Sequence, residues 1–311
     1  MSSLFAFPGQ GAQKPGMLHR LPQNAQVLDC FEQAGEALGE DVLALDSEAA
    51  LASTRAVQLC LLIAGVAGAR LLMSGGQTPD YVAGLSVGAY AAAVVAGSLD
   101  YRDAVRLVAL RGELMQSAYP RGYGMTALIG LDLGSVERLL AEVHDERSPV
   151  YLANINADNQ IVIAGADDAM AQVARRARAL GAAAAKRLAV SVPSHSALLE
   201  APATALASAF AEVELRAPRL RYLSGTTARP IADPERLRED LAFNMCRVVD
   251  WHGTLRTAYE RGVRLHIELP PGTVLTGLAR RVFEQGTLVA FDGARLDTMG
   301  ALLRQEVSQT P

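Results

Sequence analysis

The sequence carries no basic excess. Its 29 Lys and Arg are outnumbered by 33 Asp and Glu, for a net charge of −4. That balance cannot neutralise a row of phosphates, so no nucleic-acid partner is expected. No Lys/Arg cluster is present to seat on an anionic membrane. Cysteine is scarce as well. Cys30, Cys60 and Cys246 are far apart, odd in number and form no C-x-x-C pair. The pattern argues against a disulfide frame or a zinc ribbon, predicts no metal site and fits a reduced cytoplasm. Long apolar runs are missing too. Met1 to Phe7 stops at Pro8-Gly9, too short for a leader core and without a basic start. The most apolar stretch, Ala56 to Ala69, is bounded by Arg55 and Arg70 and interrupted by Gln58. A bilayer needs about 20 apolar residues, so this stretch is expected to be a buried helix and no membrane partner is expected. Repeats and low-complexity linkers are also absent.

What is present is core. The chain has 311 residues, 50% of them hydrophobic, enough for one large domain or two smaller ones. Ser3 to Phe7 reads as a first strand ending in the turn Pro8-Gly9-Gln10-Gly11. A helix is expected over 56–73, a strand over 81–83, then helices over 89–96 and 103–118. From Met125 the rhythm changes. Strands are expected over 126–130, 150–155, 161–165 and 187–191, with helices over 135–143 and 167–180. That order is βαββαβ, the pattern of a ferredoxin-like unit. Strands over 220–224 and 265–269 and helices over 201–211, 234–244 and 253–261 follow. The expected fold class is α/β: an α/β-hydrolase-like body, 1–124 and 192–311, carrying a ferredoxin-like subdomain inserted at 125–191.

Gly84-Leu85-Ser86-Val87-Gly88 lies between an expected strand and an expected helix. G-x-S-x-G in that setting is the nucleophile-elbow pattern, in which flanking glycines allow a sharp turn that exposes the serine. The following helix would lend N–H groups and its positive dipole end to an oxyanion. A serine nucleophile needs a base. Five histidines are available: His19, His144, His195, His252 and His266. His144 falls at the end of a helix, where a solvated side chain is the plainer reading, and His19 follows the first turn. His195 sits in Val192-Pro193-Ser194-His195, a Pro-led loop where the chain leaves the inserted unit, a setting suited to a functional residue. The local pattern alone does not decide the base. Asp250 could be a third member or a solvated acid at a helix start. Arg111, in Leu110-Arg111-Gly112, is either a surface residue or a guanidinium fork for a substrate carboxylate.

Taken together, these pieces resemble the malonyl-CoA:acyl carrier protein transacylases along almost the whole chain. The matching segments are Phe7 to Gln13, Gly84 to Gly88, Leu110 to Gly112 with Met115-Gln116, Gly122 to Met125, Gln160 to Gly165, Val192 to His195, Trp251, and Pro271-Gly272 with Val274 to Leu278. The resemblance implies a ping-pong transfer without a permanently bound cofactor. Malonyl-CoA would be the donor, and the thiol of an acyl carrier protein the acceptor. Ser86 would be the nucleophile, His195 the general base, and the N–H groups of Gln10 and Val87 the oxyanion hole. Arg111 would hold the malonyl carboxylate, and the Asp250 position would orient the histidine through its backbone carbonyl. Two positions depart from the family pattern: Leu85 stands where a His usually precedes the serine, and Ala89 where a Glu is common. Those departures, with Ser53 to Leu59, Gly122 to Met125 and Leu152 to Asn156, are most similar to the epsilon subunit of bacterial malonate decarboxylase. On that resemblance the partner would be the decarboxylase's own carrier subunit. The alternatives are a malonyl transacylase of fatty-acid synthesis, or a serine thioesterase that gives the acyl group to water.

Overall fold

A computed structural model of the chain describes residues 2–308. In chain order its strands are β1 Ser2–Phe7, β2 Tyr81–Gly84, β3 Tyr123–Ile129, β4 Val150–Ala157, β5 Gln160–Ala166, β6 Ala184–Arg187, β7 Arg221–Leu223, β8 Pro230–Ile231, β9 Val249–Asp250, β10 Val263–Glu268 and β11 Thr287–Ala290. Its helices are α1 Ala25–Leu38, α2 Thr54–Met73, α3 Gly88–Val95, α4 Tyr101–Ala118, α5 Leu133–Val143, α6 Asp167–Ala179, α7 Glu200–Phe210, α8 Pro234–Phe243, α9 Trp251–Glu260, α10 Val274–Ala279 and α11 Leu296–Ser308.

The strands form two sheets. The larger runs β11-β10-β1-β2-β7-β8 and is parallel except at β8, its antiparallel edge. Buried on both faces, its central strands read as unbroken apolar runs, as in Leu4-Phe5-Ala6-Phe7. The smaller sheet runs β6-β3-β5-β4-β9. Its first four strands are antiparallel, while β9 adds to β4 in parallel. The protein is therefore α/β with mixed sheets.

Helix α2 is central to the main core. Among the described residues it is the one helix long and apolar enough to cross a membrane, and 83% of its apolar window is buried within this fold. It packs against α1, α3 and α4. Gly68 makes that closeness possible on another side, since a Cβ there would come within 2.6 Å of the Pro270 ring. Helices α5 and α6 cover one face of the small sheet around Leu139, Ile161, Ile163 and Val173. Met125, Ala127, Val162 and Ala164, from the other face, join the main core.

Two of the findings that differ from the sequence expectations lie in the small sheet. The strand expected over 187–191 lies three residues earlier, at Ala184–Arg187. Leu188 and Val190 have a strand-like alternation, but they lie beyond the strand and line the cleft. The second is β9, which joins the small sheet beside β4 from outside residues 125–191.

Candidate active site

Adjacent parallel strands β1 and β2 both end at the site, β1 in the loop of Gln10 and β2 in Ser86. Crevices at the carboxyl ends of such strands are where α/β folds bind ligands. Ser86 has φ of +58°, a left-handed conformation that costs a non-glycine residue about 1–3 kcal/mol. The surroundings impose it. A Cβ on Gly84 would lie 2.0 Å from the Gly88 carbonyl carbon, and one on Gly88 would lie 2.3 Å from the Phe7 oxygen. Only glycine at both places lets strand, turn and helix stack this tightly. Ser86 is then held directly before α3, with its Oγ at the base of a cleft of about 390 Å³. A larger cleft of about 700 Å³ lies beside Asp250 and His252, and neither serine nor cysteine is among its lining residues.

His195 is the histidine that reaches Ser86, with Nε2 2.9 Å from Oγ. Its φ is +62°, fixed by a backbone hydrogen bond from its N–H to the Met245 carbonyl at 2.7 Å. Nδ1 lies 2.8 Å from the Asn244 carbonyl and 3.2 Å from that of Arg247. Those acceptors place the proton on Nδ1, which leaves Nε2 as the acceptor facing the serine. Burial pushes the imidazole down to about 4, with the nearby Arg111 charge acting in the same direction. The ring is therefore neutral at pH 7. The other histidines are engaged elsewhere. His19 pairs with Asp46, His144 with the Val150 carbonyl, and His252 with Asp158. His266 is buried in β10.

Asp250 does not orient the histidine. Its side chain caps α9, accepting from the Gly253 N–H at 2.8 Å, and its carbonyl accepts from Thr254 Oγ1 at 2.7 Å. The orienting carbonyls come from Asn244 and Arg247, a few residues earlier, in the turn that follows α8. A helix-start aspartate is better used as a cap than turned inward.

Arg111 is fully buried, on α4. Its Nη2 donates to Ser86 Oγ at 3.2 Å and to Asn244 Oδ1 at 3.1 Å, and its Nη1 donates to Gln58 Oε1 at 2.7 Å. The Nε has no partner, and no carboxylate pairs with the guanidinium among the described residues. Burial lowers its pKa from the ordinary value. A buried cation without a counter-ion is costly unless a ligand supplies one. Gln10 lies in the loop lining the cleft, and its neighbour Gly9 packs against Leu85, where a Cβ would lie 2.7 Å from the leucine side chain. The backbone N–H groups of Gln10 and Val87 donate to no other group among the described residues.

The structure thus gathers Ser86, His195, Arg111, Gln10 and Val87 in one place and leaves Asp250 out. Two site residues lack a motif in the sequence. Asn244 ends the stretch expected as a helix, with no signature of its own. Gln58 is the single polar interruption of an apolar helix, which is the signal that marks it.

A serine with its imidazole on a strained turn, facing a cation that awaits an anion, belongs to the enzymes that pass acyl groups through a serine. The sequence defines the class further: residues 4–309 match the acyl transferase domain family, and the chain belongs to that family. A malonyl CoA-acyl carrier protein transacylase of Salmonella typhimurium is 37% identical over 294 residues, covering 93% of this chain and 95% of its own. The structure of a transacylase of the same name from Coxiella burnetii superposes with a TM-score of 0.91 at 34% identity, over 99% of this chain and 98% of that one. A malonyl-transacylase solved in complex with its type II PKS acyl-carrier protein gives a TM-score of 0.90 at 35% identity, over 98% and 100% of the two chains.

Proposed function

We propose that this acyltransferase moves malonyl from coenzyme A to the thiol of an acyl carrier protein through malonyl-Ser86. The observation that carries the reading is Arg111: a fully buried guanidinium 3.2 Å from the nucleophile, with no carboxylate partner among the described residues. Malonyl differs from acetyl by the one group that this cation fits. A bidentate pairing supplies charge-assisted hydrogen bonds and offsets the desolvation of both ions.

The steps follow from the geometry. His195 Nε2 takes the Ser86 hydroxyl proton as Oγ attacks the thioester carbonyl. The N–H groups of Gln10 and Val87, with the start of α3, stabilise the tetrahedral oxyanion. Its collapse breaks the carbon–sulfur bond, and the departing thiolate receives the proton from His195. Coenzyme A leaves, and the carrier thiol then enters the same path in reverse. His195 takes its proton, sulfur attacks the acyl-serine, and Ser86 Oγ recovers a proton on release. Pairing Arg111 with the substrate carboxylate also relieves the positive field on His195, so the malonyl substrate raises the basicity of the group that activates the serine.

The carrier we favour is a free-standing acyl carrier protein such as fatty-acid synthesis uses. Support comes from the names of the relatives, malonyl CoA-acyl carrier protein transacylases, and from near-complete mutual coverage. The malonate decarboxylase carrier is the second candidate, supported by Leu85 and the other segments that resemble its epsilon subunit. We further propose a hydrolase-like body, 1–124 and 192–311, with 125–191 as a ferredoxin-like insertion. The β6-β3-β5-β4 order and the separate core under α5 and α6 support that division.

The test is to trap the acyl-enzyme by mass spectrometry after exposure to malonyl-CoA, then offer each holo carrier. A malonyl adduct on Ser86, absent in Ser86→Ala and discharged onto a carrier thiol, is the expected result. Rapid loss of the adduct to water without a carrier would instead make the protein a thioesterase.

A further inference from the structure

Gln58 has no exposed surface and sits on α2 among Leu59, Leu62 and Ile63. A buried amide is costly unless bonded, and this one is bonded at both ends. Its Oε1 accepts from Arg111 Nη1 at 2.7 Å. Its Nε2 donates to Gln10 Oε1 at 3.0 Å and lies 3.3 Å from Met115 Sδ. The direction of the amide is fixed by its neighbour. A guanidinium only donates, so the Gln58 oxygen must face it and the NH₂ must face away. Gln10 then has to present its oxygen to Gln58, which leaves its own NH₂ as the free end. One cation thereby sets the polarity of two amides in series, from the carboxylate anchor to the loop lining the cleft.

Charge is the second point. Buried arginines are ordinarily matched by carboxylates. The acceptors on Arg111 are the amide oxygens of Gln58 and Asn244 and the hydroxyl of Ser86, all of them neutral. Nε is left without a partner, so the guanidinium keeps a donor to offer. The guanidinium is aimed without being neutralised.

We propose that Gln58 is a specificity-determining positioning residue: its neutral amide aims Arg111 and keeps its charge for the substrate, so a carboxylate at this position would occupy the anchor as an internal substitute for malonyl. The inference rests on the reading of Arg111 as the carboxylate anchor. Gln58→Glu preserves shape, adds the competing anion and removes the donor to Gln10. Gln58→Met preserves bulk and removes both polar bonds.

The experiment measures kcat/KM for Ser86 acylation from malonyl-CoA and from acetyl-CoA in the parent, both Gln58 variants and Arg111→Ala. Thermal unfolding is followed in parallel. The malonyl-to-acetyl ratio should fall roughly a hundredfold in Gln58→Glu and about tenfold in Gln58→Met, the size of one or two charge-assisted hydrogen bonds. Acetyl acylation should fall far less than malonyl acylation in each. A purely structural glutamine would depress both substrates alike, and that result, or an unchanged ratio, overturns the proposal. If Gln58→Glu does not fold, the ratio in Gln58→Met decides alone. An unchanged ratio in Arg111→Ala would remove the anchor itself and the inference with it. A collapsed ratio in Arg111→Ala beside an intact one in both Gln58 variants would remove the Gln58 inference only.

Discussion

His195 and Arg111 are coupled through space, and the coupling has a sign. Burial is the larger cause of the lowered imidazole pKa, and the Arg111 charge adds to it. Removing that charge must let the pKa rise. The free enzyme's acid limb in kcat/KM reports this group, so activity should be lost as pH falls through it. In Arg111→Ala the limb should move to higher pH, measured with acetyl-CoA so that no substrate carboxylate intervenes. A limb that stays in place, or moves to lower pH, would separate the two residues. The same variant should cost roughly two to four decades in malonyl acylation, because one or two charge-assisted bonds of about 1.5–3 kcal/mol each are lost. Arg111→Lys should restore only part of this, since a point charge does not match both carboxylate oxygens. At this scale the sequence is legible where chemistry forces a pattern. Gly84-x-Ser86-x-Gly88 can be read because a strained serine needs glycines on both sides. The partner of His195 cannot, because a backbone carbonyl belongs to every residue and leaves no letter behind. Asn244 and Arg247 orient the ring with backbone carbonyls that any residue there would carry.

The elements show the same division. Helices with one apolar face and strands buried on both faces announce themselves, as α2, α4 and β1 do. The edge strand Ala184–Arg187 does not, since its alanines lack the β-branched bulk of a strand and its neighbours Leu188 and Val190 supply the apolar alternation instead. Helix α1, with Asn24 capping Val27, and the two-residue strand β9 are not among the expected elements. Asp250 is where element and site readings part. As the cap of α9 it holds the Gly253 N–H, so Asp250→Ala should cost about 1 kcal/mol of stability. Acylation should change by no more than a few-fold, because His195 takes its hydrogen bonds from Asn244 and Arg247. Denaturant unfolding and acylation rates on one preparation check both halves. A thousandfold loss of acylation at unchanged stability would return Asp250 to the histidine.

Across the whole molecule, buried histidines make stability depend on pH. His195 and His266 are both fully buried, and burial pushes each down to about 4 from an ordinary 6.5. The unfolded chain therefore takes up protons below pH 6.5 that the folded chain refuses until about pH 4. Stability is fully present above pH 6.5 and is lost as pH falls through that window, by about 1.4 kcal/mol per pH unit for each histidine. Asp240 and Glu268 work against this trend. Burial raises both carboxyl pKa values, so their protonation favours the folded state as the medium turns acid. Comparing variants isolates a single histidine from these opposing groups. His266 is suited to it, since neither ring nitrogen has a hydrogen-bond partner among the described residues and the ring packs edge-on to Phe283. Replacing an unpartnered buried polar group with an apolar one of similar size is nearly neutral or stabilising. His266→Leu should therefore match or exceed the parent's stability at pH 7. Between pH 6.5 and 4 its loss of stability should be shallower than the parent's by about 1.4 kcal/mol per pH unit, the signature of one proton. Urea unfolding at half-unit pH steps measures the difference directly. Parallel curves for parent and variant would mean that His266 titrates normally in the folded protein, and its burial in β10 would then have to be breached by water.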